Sequence, residues 1–144
     1  MIVKQVSAFI ENKAGRLNEI ANTLAAGNID ISALSLADTT DYGIIRMIVS
    51  DPEAAVLALR ESGVVCKITN TLAVAIDDVP GGFANAVKIL TDNGFEIKYM
   101  YACISHAIGK ALMIVSVDDP EKADKIISAT AVGNVNPSEI YRHI

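Results

Sequence analysis

The sequence predicts an α+β fold made of two copies of one unit, each a four-stranded antiparallel sheet carrying two helices on one face. Three observations lead there. Slid against itself by 66 residues, the chain brings Glu11-Asn12-Lys13-Ala14-Gly15-Arg16-Leu17 onto Asp77-Asp78-Val79-Pro80-Gly81-Gly82-Phe83, and Met47-Ile48-Val49-Ser50 onto Met113-Ile114-Val115-Ser116. A period this long is one duplicated supersecondary unit, so a site built by one copy has a counterpart in the other. Each copy also alternates between strand-like runs and segments with the spacing of a helix, in the order βαββαβ.

Taken along the chain, residues 3–10 are partly β-branched and aromatic and stop at the polar turn Glu11-Asn12-Lys13, which predicts a first strand. Leu17, Ile20, Ala21 and Leu24 then recur at i, i+3, i+4 and i+7, mirrored by Phe83, Ala86, Val87 and Leu90, which is the apolar face of a helix. Gly27-Asn28 and Asn93-Gly94 end these helices, because both residue types tolerate the left-handed conformation of a helix terminus. Residues 31–37 and 44–50 read as a hairpin, repeated by 97–104 and 110–117. Asp51-Pro52 and Asp119-Pro120 each offer a capping carboxylate, a proline at the first helical position and an acid next for the helix dipole. Second helices follow, with Val56 and Leu59, or Ile126 and Ile127, facing inward. Residues 64–70 form a fourth strand that runs into 71–76, the first strand of the next copy, without a linker. The expected domains are therefore 1–70 and 71–144, both with the ferredoxin-like arrangement.

Halves of roughly 70 residues lie near the lower size for a self-sufficient core, so two halves packed together are expected. A net charge of −5, with lysines and arginines scattered, excludes the basic footprint of a nucleic-acid binder. No run approaches the ~20 apolar residues of a membrane span, and no basic and apolar leader opens the chain, so a soluble cytoplasmic protein with no membrane role is expected. Cys66 and Cys103 occupy non-equivalent repeat positions and form no close pair, which makes them buried reduced thiols.

The fold alone fixes no function. An RNA-recognition sheet needs two or three stacking aromatics, where the central strands here offer Phe9 alone. A metal carrier needs paired thiols in the first loop, so no metal is expected there, and the adjacent acids Asp77-Asp78 read as a solvated turn. Catalysis needs a nucleophile, a base and a charge stabiliser in one pocket. His106 lies at a hairpin tip and His143 near the chain end, both facing solvent, so no catalytic residue, no enzyme and no cofactor is expected. What remains is Gly15 and its counterpart Gly81. Each sits where the N–H groups of a nascent helix converge and lets a ligand carboxylate approach the backbone, or else simply permits a tight turn and close helix packing.

The pattern of a strand, Asn-Lys-Ala-Gly-Arg-Leu, a helix and then Gly-Asn-Ile-Asp-Ile resembles the ACT domain, whose signature is a Pro-Gly-x-Leu turn followed by a helix and an Asn-Ile strand entry. Val79-Pro80-Gly81-Gly82-Phe83 and Gly94-Phe95-Glu96-Ile97 resemble it again, so both repeats are covered nearly end to end. The resemblance implies a small-molecule regulatory domain, usually for an amino acid. It also implies domains placed side by side through their second strands, with ligands at that interface between one domain's first loop and the other's second strand. The implied ligand-binding residues are Glu11, Asn12, Lys13, Ala14, Gly15, Arg16, Leu17, Asp30 and Ile31 in the first copy. In the second they are Asp78, Val79, Pro80, Gly81, Gly82, Phe83, Glu96 and Ile97. Asn12 matches the family's loop asparagine, which is Asp78 in the second copy; Asp30 and Glu96 stand for the strand-entry asparagine and Ala14 for the proline. An acid at those positions can receive a ligand's ammonium. The expected protein is thus a stand-alone tandem sensor, a homodimer reporting occupancy to an enzyme partner in trans. The alternative is an assembly subunit of a metabolic enzyme whose pockets are vestigial. Joining the second-strand edges within the chain is expected to leave the Ile- and Val-rich open sheet faces for the dimer contact.

Overall fold

The computed structural model describes residues 1–11, 13–38, 41–104 and 109–141. Its elements are β1 (Ile2–Glu11), α1 (Arg16–Ala26), β2 (Ile31–Asp38), β3 (Tyr42–Val49), α2 (Pro52–Glu61), β4 (Val65–Asp77), α3 (Gly82–Asp92), β5 (Ile97–Ala102), β6 (Lys110–Val117) and α4 (Pro120–Ile127), then a 3-10 turn (Ala131–Gly133) and a short α5 (Pro137–Ile140). The helix starts follow the sequence chemistry. Asp51 accepts from the Ala54 N–H and Asp119 from the Lys122 N–H, both at 3.0 Å, each followed by proline.

Two compact units result. The N-terminal unit holds Lys4–Thr69 together with Tyr141, and the C-terminal unit holds Met1–Val3 with Asn70–Ile140. The expected boundary at 70/71 therefore falls inside the unbroken β4. In the N-terminal unit the strand order is β2-β3-β1-β4, with Val6 opposite Met47 and Leu34 opposite Met47 from the other side. In the C-terminal unit the order is β1-β4-β6-β5, with Val74 opposite Met113. Both hairpins carry an irregularity at the same repeat position, between Ile31 and Ala33 and between Ile97 and Tyr99.

Among the described residues the second copy has no fourth strand of its own after α4, where the βαββαβ reading expected one. Beyond α4 a Cβ on Gly133 would stand 2.2 Å from the Ile127 carbonyl oxygen, so the chain there is folded tightly back, and Pro137 opens α5 instead of a strand. Val132 joins the core from this segment. Met1–Val3 occupy the vacant place: the Ala73 N–H donates to the Met1 carbonyl at 2.8 Å, and the Thr71 hydroxyl donates to the Val3 carbonyl at 3.3 Å. In the N-terminal unit the matching side-chain contact runs from Gln5 Nε2 to Thr69 Oγ1, 3.4 Å.

Among the described residues β2 is bonded to β3 alone and β5 to β6 alone, each at the edge of its unit's sheet.

Each unit has its own core between sheet and helices. Val6, Ala8, Ile10, Ile20, Leu24, Met47, Val56 and Leu59 make the first, and Leu72, Val74, Ile76, Ala86, Leu90, Val115, Ala123 and Ile127 the second. Burying each of the larger side chains is worth about 1.5–3 kcal/mol. The strand faces turned away from the helices are only partly open, where open faces were expected: Phe9 is 49% exposed. Gln5, Ser7 and Ile48 in one unit, and Ala73, Ala75 and Ile114 in the other, are all buried. Leu17 and Phe83, the first residues of the expected helix stripes, are instead 44% and 54% exposed. Cys66 and Cys103 are free and buried, as their spacing suggested.

Candidate functional site

The two strand-to-helix turns share one backbone. The Arg16 N–H donates to the Lys13 carbonyl at 3.3 Å, and the Gly82 N–H to the Val79 carbonyl at 3.0 Å. The third residue of each turn is left-handed, Gly15 at φ 87°, ψ −12° and Gly81 at φ 86°, ψ −10°. That is the type II turn, which calls for glycine at this position and favours proline before it, as Pro80 supplies. No side chain caps either helix start. A Cβ on Gly15 or Gly81 would meet nothing within 4 Å, so the backbone conformation requires these glycines and open space lies above both turns.

Side-chain chemistry then separates the copies. In the first, Glu11 ends β1 and pairs with Lys13 at 2.9 Å and with Arg16 at 3.7 Å, while Arg16 also holds Glu19 at 2.9 Å. The Lys13 ammonium, and after it Arg16, holds the Glu11 carboxyl below the usual carboxylate range, and Glu19 raises the Arg16 guanidinium still further. Glu11 Oε2 is shielded from water, its partners being the Lys13 ammonium and, farther off, the Arg16 guanidinium. Glu11, Arg16 and Glu19 border a cavity of about 160 Å³, completed by Phe9, Ile10, Ile20, Tyr42 and the Gly63-Val64-Val65 turn. The register explains the assembly: Tyr42 lies opposite Glu11, and Phe9 opposite Ile44.

In the second copy Asp77 takes the place of Glu11 and is ion-paired with Lys110. Gly82 takes the place of Arg16 and cannot carry a side chain, because its Cβ would stand 2.0 Å from the Asp77 carbonyl oxygen. Asp78, Val79, Pro80 and Phe83 are exposed. The Asp78 N–H is already used by the Gly109 carbonyl at 3.1 Å.

The expected site residues thus fall into separate groups. Glu11 and Arg16 meet at the cavity, with Lys13, Ala14, Gly15 and Leu17 exposed on the turn beside it. Asp30 and Ile31 lie beyond the other end of α1, a helix of 11 residues that spans about 16 Å. There the Asp30 N–H donates to Ser50 Oγ at 3.0 Å; in the second copy the Glu96 N–H donates to Asp118 Oδ1 at 3.3 Å, with Ile97 partly buried beside it. Within a unit, then, the loop and the strand entry do not converge. Asn12, His106 and His143 lie outside the described residues. Among the described residues no three His, Cys, Asp or Glu side chains gather as a metal site would need.

A protein-family model for an ACT domain pair matches residues 1–143. The chain belongs to the ACT domain pair family. Of solved structures, a protein from Bacteroides thetaiotaomicron is 34% identical over 99% of this chain and 97% of its own, with a TM-score of 0.89. The ligand-free regulatory subunit of aspartate kinase from Thermus thermophilus is 14% identical over 90% and 96%, TM-score 0.64, and that from Thermus flavus is 13% identical over 85% and 87%, TM-score 0.61. At those identities the Thermus structures share the fold. No curated protein matches the chain.

Sequence reasoning missed Phe9, Tyr42 and Val65, which this ACT pair presents at the cavity 49%, 56% and 69% exposed. One signal was available. Phe9 sits between Ala8 and Ile10, and when one parity of a strand faces the core the aromatic between them faces away. Tyr42 and Val65 reach the cavity through strand register and a helix-to-strand turn, which no local pattern encodes.

Proposed function

We propose that this ACT pair is a regulatory rather than a catalytic protein that binds a small molecule, an amino acid by preference, at the β1–α1 turn of its N-terminal unit and reports occupancy to an enzyme partner. The observation that carries the reading is the cavity at that turn, where a left-handed glycine opens a helix start beside charges of both signs and exposed aromatic surface. A space of about 160 Å³ suits a compact metabolite rather than a dinucleotide. The family and the regulatory Thermus subunits agree with a sensing role.

Thermal unfolding across the twenty amino acids tests it. At a hundredfold excess over Kd, binding adds about 2.7 kcal/mol, which corresponds to a rise on the order of 5–10 °C in a chain of this size. One amino acid or a chemically related few should stand out; no shift from any of them contradicts the reading. A second reading, an assembly subunit, is favoured by one observation: β2 is an unpaired edge whose Leu34 and Leu36 are 41% and 46% exposed. Such an edge is ready to pair with another chain, a second copy included.

A further inference from the structure

The cavity of the N-terminal unit has an unusual electrostatic inventory, and the second copy shows what is special about it. Its charged lining is Glu11, Glu19 and Arg16, with the guanidinium engaged by both carboxylates. One repeat later, Arg16 is replaced by Gly82 and Glu19 by Asn85, so the same turn lacks both members of the Arg16–Glu19 pair. The pair is therefore not needed to make the turn or to start the helix, since the second copy builds both without it.

We propose that this cavity recognises a zwitterion by ion-pair exchange: the ligand's ammonium replaces the Arg16 guanidinium on Glu19 and Glu11, and the released guanidinium takes the ligand's carboxylate. The inference rests on the amino-acid reading above and adds which groups hold which end of the ligand. Three features support it. Arg16 and Glu19 have side chains 43% and 64% exposed, so their mutual attraction is heavily screened and easily exchanged. Glu11 Oε2 is withdrawn from water beside Lys13, and its contact with Arg16, at 3.7 Å against 2.9 Å for Lys13, is the looser one and the easier to replace. The exchange also keeps the number of opposite-charge contacts. An anion alone would have to strip Arg16 from two carboxylates and lie beside them; a cation alone would leave Arg16 unpaired. Only a molecule with both charges satisfies every group. Its apolar part is then free to bury the exposed surface of Phe9, Tyr42 and Val65.

Titration calorimetry on the full chain tests this with the twenty free amino acids as probes, followed by the N-acetyl form and the primary amide of whichever binds most tightly. The proposal expects both derivatives to bind on the order of tenfold or more weakly, since each removes one of the two charge-assisted contacts. Glu19→Gln and Arg16→Met should each weaken the free amino acid by roughly fivefold to tenfold. Arg16→Lys should recover part of that loss, and Lys88→Met, which breaks only the exposed Lys88–Asp92 pair of α3, should change nothing. All the substituted side chains are at least 43% exposed, so the variants should fold, which circular dichroism checks. If an amino acid binds but neither variant nor derivative lowers its affinity, ion-pair exchange is overturned while amino-acid sensing stands. If none of the twenty binds, the functional reading itself fails.

Discussion

Lys13-Ala14-Gly15-Arg16 and Val79-Pro80-Gly81-Gly82 trace nearly the same backbone, with the key glycines one degree apart in φ and two in ψ. Yet the first turn carries a network of ion pairs beside a cavity, and the second carries a glycine pressed against the strand it follows. The backbone of the turn belongs to the fold, because a type II turn into a helix is how β1 and β4 each reverse direction. The side chains are where a function can differ between copies. A motif read from either turn alone would assign both the same role.

The comparison can be broken most forcefully at Gly82. Gly82→Ala places a Cβ 2.0 Å from the Asp77 carbonyl oxygen, so backbone must move. We expect a loss on the order of 3 kcal/mol or more, confined to the C-terminal unit, by urea unfolding. Arg16→Ala at the equivalent position should cost well under that; equal losses would mean that the two turns are packed alike.

Next in size is a difference in response to alkali. Burial pushes the Cys103 thiol in the C-terminal unit from 9.0 up to about 11. Above pH 9 the unfolded chain gives up this proton while the folded chain keeps it. The contribution is therefore fully present below pH 9 and lost as pH rises to 11, in all about 2–3 kcal/mol. In the N-terminal unit burial also raises the Cys66 thiol, but the Arg60 guanidinium opposes it. Unfolding free energies at pH 8 and pH 10.5 should differ less in Cys103→Ala than in the parent, with a smaller change in Cys66→Ala. No flattening in Cys103→Ala contradicts the assignment.

The smallest effects should be alike in both copies. Gly15→Ala and Gly81→Ala meet open space but force a left-handed alanine, at about 1–2 kcal/mol each. Asp51→Ala and Asp119→Ala each remove one 3.0 Å cap, for about 1 kcal/mol. A marked inequality within either pair, measured by chemical denaturation, would show that the repeat is less symmetric in energy than in geometry.

Much of this architecture was legible in the residues. The offset of 66, the left-handed glycines and the two Asp-Pro caps are local signals, and each element they predict is present apart from one strand. That strand, the last of the second copy, was lost because strand pairing is not local: Met1–Val3 fill its place from the far end of the chain. Likewise hydrophobic patterning does not say with what, if anything, an edge strand such as β2 or β5 pairs. The candidate site was legible only in part. Glu11, Gly15 and Arg16 stand in the signature itself, whereas Tyr42 and Val65 depend on register. Resemblance groups Asp30 and Glu96 with the turn, whereas a helix of 11 residues separates them from it in each unit.

The most direct test of the account follows backbone amides by heteronuclear NMR during titration with the amino acid that most raises the melting temperature. Saturable shifts should concentrate at Glu11, Gly15, Arg16, Glu19, Tyr42 and Gly63–Val65, with Gly81, Gly82 and Asn85 unmoved. Equal shifts at both turns, or shifts gathered at Asp30 and Glu96 with the first turn silent, would contradict it.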